Sequence, residues 1–452
     1  MNKAISRFLL FSLVLPLAAA ITEPVRVGEG LLSGVAGASP EVRVFRGVPF
    51  AAAPVADLRW RVPKPALKWT GVRNAAEFSA ICMQRRPNAA GIGAEPRLMS
   101  EDCLYLNIYT AAKTANDKLP VMVWIHGGAL TAGAASVGAY DGEQLARKGV
   151  VVVTINYRLG VFGFFAHPEL SRESDRAASS NYGLLDQISA LQWVQKNIVP
   201  FGGDPKRVTI FGESAGSWST NLLAASPLAH GLFHRVIGES GGQFEPMKTL
   251  AKAEEAGAKF GTLAALRTKS AEALQADMGA AFVGTTGGYS GPVVDGWCLP
   301  DDVYTIYAKG KQNDVPVLIG SNADEGTMFT PATVTLESMK ASAQQRFGPA
   351  ADAFLKLIPH NPTARHGERR PTACATRPSA GRCARGRICR ARPASRRSIC
   401  TSSAGCRPAR LPHEWAPFTA PRSRMFFTTP TVLGVRGKRR TTSSPTSCRR
   451  TG

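Results

Sequence analysis

The sequence predicts an α/β protein with a mostly parallel central sheet flanked by helices, and three observations carry that reading. Short apolar runs rich in β-branched residues recur at 120–125, 150–157, 208–211, 236–238 and 316–320. They are near-continuous rather than alternating, which is the pattern of strands covered on both faces. Helical patterns separate them, the clearest being 183–197, where Leu184, Ile188, Leu191, Trp193 and Val194 fit a crossover helix. The third observation is bulk: 452 residues at 44% hydrophobic content can close a large core.

Taken in chain order, the first element is not part of that core. Residues 1–20 carry Lys3 and Arg7, then an apolar run at 8–17, then Ala18-Ala19-Ala20. That succession of charged, apolar and small residues predicts a secretory signal peptide and hence a secreted or periplasmic protein. The run falls well short of the ~20 residues a membrane-spanning helix requires, and no later stretch is long enough. Residues 21–364 then carry the α/β pattern. Within them 248–278 is rich in Ala, Glu and Lys, which predicts helices outside the sheet.

From residue 365 the composition changes. The last 88 residues hold 21 Lys and Arg against two acids, Glu368 and Glu414, so most of the net charge of +22 lies there and the first 364 residues carry only +3. Cysteine divides in the same way, with Cys82, Cys103 and Cys298 in the first part and six from Cys374 onward. An Arg-, Ser- and Pro-rich segment of this kind buries too little to offset its ordering entropy, so 365–452 is expected to be disordered. The tail lacks the interleaved aromatic residues of a nucleic-acid stacking surface, and no nucleic-acid partner is expected.

The chemistry is concentrated in Val208-Thr209-Ile210-Phe211-Gly212-Glu213-Ser214-Ala215-Gly216. An apolar strand running into Gly-x-Ser-x-Gly places a serine nucleophile on a tight strand-to-helix turn, whose flanking glycines leave room for the bend. Ser214 is the candidate nucleophile. Upstream, Trp124-Ile125-His126-Gly127-Gly128-Ala129 follows another apolar strand. Gly128, Ala129 and Ala215 are therefore candidates to donate backbone N–H groups to the oxyanion of a tetrahedral intermediate.

These motifs, with many others, resemble the type-B carboxylesterase/lipase family that includes the cholinesterases. Phe45-Arg46-Gly47-Val48-Pro49-Phe50-Ala51 and Leu58-Arg59-Trp60 are similar to its amino-terminal signature, and Glu101-Asp102-Cys103-Leu104-Tyr105-Leu106-Asn107 to its second. Asn156-Tyr157-Arg158-Leu159-Gly160, residues 181–187 and Phe201-Gly202-Gly203-Asp204-Pro205 resemble its middle blocks. The resemblance implies an α/β-hydrolase fold over residues 21–364, truncated and with its C-terminal part incomplete. It implies Glu325 as the triad acid, with Asp324 its competitor, and a disulfide between Cys82 and Cys103. It implies structural ion pairs Arg59–Glu101 and Arg158–Asp186, while Cys298 is expected to be a buried free thiol. The implied activity is hydrolysis of small-molecule carboxylic esters through an acyl-enzyme, with no metal and no cofactor.

One part of the family pattern is missing. A general-base histidine is expected after the acid, in a His-Gly-x-Glu block. None of His126, His167, His230, His234, His360, His366 or His413 lies in such a block, and His413, the one at a suitable distance, has unlike neighbours. A slip of the coding frame near residues 360–372 accounts for this. Residues 418–425 can be written TTC ACG GCG CCG AGA TCC CGT ATG, which displaced by two bases reads His-Gly-Ala-Glu-Ile-Pro-Tyr. Residues 397–402, written AGG TCT ATT TGT ACT TCT, likewise contain Val-Tyr-Leu-Tyr-Phe, a good strand. The sequence therefore predicts a serine esterase that lacks its base as written. The alternative is a non-catalytic binding protein on the same fold.

Overall fold

The computed structural model describes residues 21–85, 98–282, 291–323, 325 and 334–357. The expected signal peptide and the Arg-rich tail with its proposed frame slip lie outside them. The described residues form two units, divided between Ser321 and Asn322.

The larger unit is organised by an eight-stranded sheet. Its strands are β1 (Val35–Ala36), β2 (Arg43–Pro49), β3 (Tyr105–Thr110), β4 (Leu119–Ile125), β5 (Val151–Ile155), β6 (Gly203–Glu213), β7 (Arg235–Glu239) and β8 (Val317–Gly320). Their order is β8-β7-β6-β4-β5-β3-β2-β1. The last five strands in sequence, β4 to β8, pair in parallel, as their apolar character predicts. The amino-terminal three are antiparallel additions at one side, so the sheet is mixed. Their alternation is interrupted by a shift in register between Phe45 and Val48, which hides their periodicity in the sequence.

Two helices matter most for the site. Helix α1 (Tyr182–Asn197) spans the predicted crossover, and α2 (Ala215–Ala225) follows β6 directly. The Ala-, Glu- and Lys-rich stretch forms α3 (Leu250–Gly257), α4 (Leu263–Thr268) and α5 (Ala271–Met278). Each begins where a hydroxyl of Thr249, Thr262 or Ser270 accepts the amide three residues on.

Helix α1 is fixed by a buried ion pair. Arg158 Nε and Nη2 donate to the two carboxylate oxygens of Asp186 at 2.8 and 2.7 Å, and the Arg158 amide donates to Oδ2 at 3.0 Å. Both side chains are almost wholly removed from solvent. The expected Arg59–Glu101 pair forms as well, and Arg59 Nη1 also donates to the carbonyls of Arg267 and Lys269 at the end of α4. Cys82 and Cys103 are disulfide-bonded, and Cys298 is a buried free thiol. No helix among the described residues is long and apolar enough to cross a membrane.

The smaller unit contains α6 (Leu336–Phe347) and α7 (Ala351–Leu357). Thr335 and Ser338 form a reciprocal capping box at the start of α6, and Phe347 stacks on Phe354 at 4.1 Å between ring centres.

Removing one partner of the Arg158–Asp186 pair strands a buried charge. Asp186→Ala is expected to destabilise the fold by about 3–5 kcal/mol, read from the denaturant midpoint. Cys82→Ala/Cys103→Ala should cost roughly 3 kcal/mol by the loop-entropy argument. A loss below 1 kcal/mol in either variant would contradict the role assigned to that bond.

Candidate active site

The site begins with strand register. β4 and β6 are parallel neighbours, with Ile125 beside Gly212, so whatever follows Ile125 and Glu213 emerges on the same rim of the sheet. This brings together two motifs that lie almost 90 residues apart in the chain.

The turn at Ser214 is sharp. Its backbone sits at φ 56°, ψ −119°, a region that non-glycine residues rarely occupy and that costs of order 1–3 kcal/mol. The neighbourhood holds it there. The Ser214 amide donates to the Glu239 carbonyl at 2.8 Å, and the Ser214 carbonyl accepts from Trp218 in the first turn of α2. The flanking glycines are required by the closeness of neighbouring backbone. A Cβ at Gly216 would lie 2.0 Å from the Ile125 oxygen, and one at Gly212 would lie 2.6 Å from that oxygen and 2.6 Å from the Gly216 carbonyl carbon. Ser214 is partly buried, and among the described residues its hydroxyl has no hydrogen-bond partner.

The second glycine pair closes against this turn. A Cβ at Gly127 would lie 3.2 Å from that of Ser214. Gly128 and Ala129 then adopt φ 106° and 56°, and the Gly128 carbonyl accepts the amides of Thr131 and Ala132. Among the described residues no acceptor meets the amides of Gly128, Ala129 or Ala215. Ala215 heads an eleven-residue helix, whose amino terminus favours negative charge. The sequence-predicted nucleophile and the three predicted donors are thus carried on two turns that touch.

Beneath them lies His126. Its ring is buried, stacks on Tyr157 at 4.4 Å, and places Nδ1 2.9 Å from the Gly127 oxygen. The Tyr157 hydroxyl donates to the His126 carbonyl at 2.8 Å. Burial lowers the His126 pKa from 6.5 to about 4, so the ring is neutral around pH 7 and braces the turn. The other described histidines are also engaged away from Ser214. His167 caps a helix through Nδ1 and meets the Gly261 carbonyl, His230 meets Asn313, and His234 accepts the Val208 amide. His360, His366 and His413 lie outside the described residues, as does Asp324.

Glu325 belongs to the smaller unit, whereas Ser214 belongs to the larger. Its Oε1 accepts from the backbone and side-chain nitrogens of Asn322 at 3.0 and 3.4 Å.

The loop after β7 also packs against the Ser214 turn. Ser240 has φ 56° and donates its amide to the Gly320 carbonyl, the Gly241 carbonyl accepts a 2.6 Å bond from Ser217, and a Cβ at Gly241 would lie 2.5 Å from the Ser214 backbone carbonyl oxygen. Gly241-Gly242 after a parallel strand was the available signal. Glu239, where this loop departs, is exposed at the end of β7, and partial desolvation raises its carboxyl pKa. Tyr140 is raised in the same direction, first by burial and then by the charge of Glu213. No cluster that could hold a metal ion occurs among the described residues.

The model of the carboxylesterase family matches residues 22–364. The chain is 42% identical over 365 residues to fumonisin B1 esterase of Sphingopyxis macrogoltabida, covering 79% of this chain and 67% of that protein. It is 42% identical over 348 residues to liver carboxylesterase 1F of Rattus norvegicus, covering 68% and 60%, and 40% identical over 335 residues to para-nitrobenzyl esterase of Bacillus subtilis (strain 168), covering 71% and 68%. The solved structure of a thermophilic PNB esterase superposes with a TM-score of 0.65 at 37% identity, over 75% of this chain and 71% of that one. The chain thus spans some 60–68% of the length of these curated relatives.

Two measurements test this geometry. Gly216→Ala drives a Cβ into backbone and is expected to cost more than about 2 kcal/mol, whereas Gly320→Ala, with open space around it, should stay within about 0.5 kcal/mol. Because His126 is depressed, the unfolded chain takes up a proton that the folded one refuses between pH 6.5 and about 4. Its contribution to stability is therefore complete above pH 6.5 and is lost as pH falls toward 4. A His126 carbon resonance titrating near 6.5 in the folded protein would contradict this.

Proposed function

Because this chain belongs to the carboxylesterase family and carries the α/β-hydrolase fold, we propose that it is a secreted serine hydrolase of small-molecule carboxylic esters. Its acyl-transfer machinery is intact at the nucleophile and interrupted at the general base. The observation that carries this reading is the strained Ser214 turn set against the amides of Gly128, Ala129 and Ala215, which meet no acceptor among the described residues. Ser214 attacks the ester carbonyl, the three amides receive the oxyanion, and the resulting acyl-enzyme is released by water. Glu325 is assigned as the acid that orients and stabilises the base. Relatives whose names describe esterases of fumonisin B1 and of para-nitrobenzyl groups support esters as the substrate class.

The base itself is assigned to the block His-Gly-Ala-Glu-Ile-Pro-Tyr read two bases out of frame across residues 418–425. Support for the slip comes from the abrupt change to Arg-rich composition and from the engagement of every described histidine elsewhere. The amino-terminal pattern of residues 1–20 supports export. That same lack of a described base favours the second reading, a non-catalytic binding protein.

The deciding experiment compares the chain as written with a frame-restored form. The restored protein is expected to take up a fluorophosphonate at Ser214, to lose that adduct in Ser214→Ala, and to hydrolyse para-nitrophenyl acetate at least about 10,000-fold faster than the chain as written. A restored protein that is inert, or that is labelled at another residue, overturns the assignment in favour of the non-catalytic reading.

A further inference from the structure

The turn that carries Gly128 and Ala129 folds back on itself as far as Gly133, which has φ 113°. A Cβ at Gly133 would lie 2.4 Å from His126 Nδ1 and 2.6 Å from the Gly127 oxygen, and one at Gly128 would lie 2.2 Å from the Ala132 oxygen. Gly133 is thus pressed against the start of the turn. In packing this close, whatever fixes the peptide groups of Gly133 also fixes those of residues 127–129.

One buried side chain fixes Gly133. Gln84, 4% exposed, accepts the Gly133 amide on Oε1 at 2.8 Å and donates from Nε2 to the Gly133 carbonyl at 2.9 Å and the Cys82 carbonyl at 3.0 Å. Only one orientation of the amide satisfies these three contacts, and both of its N–H donors are then used. Gln84 stands two residues after Cys82, where the chain leaves the short parallel pair Ile81–Cys82 and Met99–Ser100. The other half of the disulfide is joined to the same loop by Asn156, whose Nδ2 donates to the Cys103 carbonyl at 3.1 Å and whose Oδ1 accepts the Ala135 amide at 2.9 Å. Each cysteine's carbonyl therefore reaches the loop through one amide side chain, Cys82 by way of Gln84 to Gly133 and Cys103 by way of Asn156 to Ala135.

We propose that Gln84 is a positioning residue for acyl transfer: by holding both peptide groups of Gly133, it sets the direction in which the Gly128 and Ala129 amides point. The catalytic part of this role rests on the oxyanion assignment made above; the clamp on the turn does not. Among the described residues the hydrogen bonds of Gln84 go to Cys82 and Gly133, so it acts through the turn and not on a substrate. Fixed donors stabilise an oxyanion only while they are aimed at it, and a misplacement of about 1 Å costs on the order of 100-fold in rate. Asn156 anchors the loop further along, at Ala135, which leaves the peptides between Gly128 and Gly133 dependent on Gln84.

The test reads the turn and the chemistry separately. The Thr131 and Ala132 amides both donate to the Gly128 carbonyl and neither bonds to Gln84, so their hydrogen exchange reports the turn itself. In the purified full chain, Gln84→Met keeps the length of the side chain and removes its hydrogen bonds. It is expected to speed exchange at both amides by about tenfold or more, while Ala135 stays protected by Asn156. Gln195→Met is the control: Gln195 Nε2 donates to the Pro205 and Leu232 carbonyls at 2.8 Å each, away from the turn, so its loss should leave exchange at Thr131 and Ala132 unchanged. In the frame-restored protein Gln84→Met should lower kcat for para-nitrophenyl acetate by about 10- to 100-fold with KM within about twofold, and Gln195→Met should change neither. Should the methionine variant fail to fold, Gln84→Glu replaces it. Its carboxylate keeps an acceptor for the Gly133 amide but sets negative oxygen against the Cys82 and Gly133 carbonyls, and the same opening is expected. Unchanged exchange at Thr131 and Ala132 in the folded variant, equal acceleration in Gln195→Met, or an active restored enzyme whose kcat survives Gln84→Met overturns the proposal. A restored protein that is inert while exchange is accelerated removes the esterase reading, and the catalytic role with it, but keeps the clamp.

Discussion

The site depends on one steric condition: three stretches of backbone converge with no side chain between them. The Ile125 carbonyl, at the end of one parallel strand, lies so close to Gly212 and Gly216 that a single methyl group at either position would overlap main-chain atoms. That contact lets the turn after β4 lie flush against the turn after β6. It also permits Ser214 to remain in a conformation that an isolated peptide would abandon. The cost of that conformation is offset by many ordinary interactions around it, among them the amide bond to Glu239, the first turn of α2 and the buried ring of His126.

Much of this was legible in the sequence because the features responsible are local. A strand followed by Gly-x-Ser-x-Gly has few ways to fold, and continuous apolar runs announce a parallel sheet before any pairing is known. The resemblance of the chain to a family added the long-range pairs, and Cys82–Cys103, Arg59–Glu101 and Arg158–Asp186 all formed as it implied. The antiparallel strands β1 to β3 were harder to see. β1 has only two residues, and the register shift in β2 breaks the period-two signal that would have marked it. The loop at 239–242 is legible only in part: Gly241-Gly242 after a parallel strand marks a close approach, whereas the Ser217 bond and the strained Ser240 backbone have no distinctive sequence pattern.

His126 illustrates how position decides the use of a residue type. An imidazole is the usual proton acceptor for a serine nucleophile, and this one directly precedes the Gly127–Ala129 turn. Yet its burial, its stacking on Tyr157 and its contact with the Gly127 carbonyl commit it to holding that turn in place. A group that protonates only near pH 4 is a poor base at neutrality, so the same environment that makes it a good brace makes it unfit for proton transfer.

The carboxylate of Asp186 reaches further than its own partner. Asp186 and Gln187 are adjacent on α1; Gln187 donates to Ser219 on α2, the helix whose first residue follows Ser214. The buried ion pair and the helix that follows Ser214 are therefore linked through two consecutive side chains. Replacing the ionic pair with hydrocarbon would change the footing of a helix that also carries the Gln187–Ser219 bond, so a repacking there is transmitted to α2.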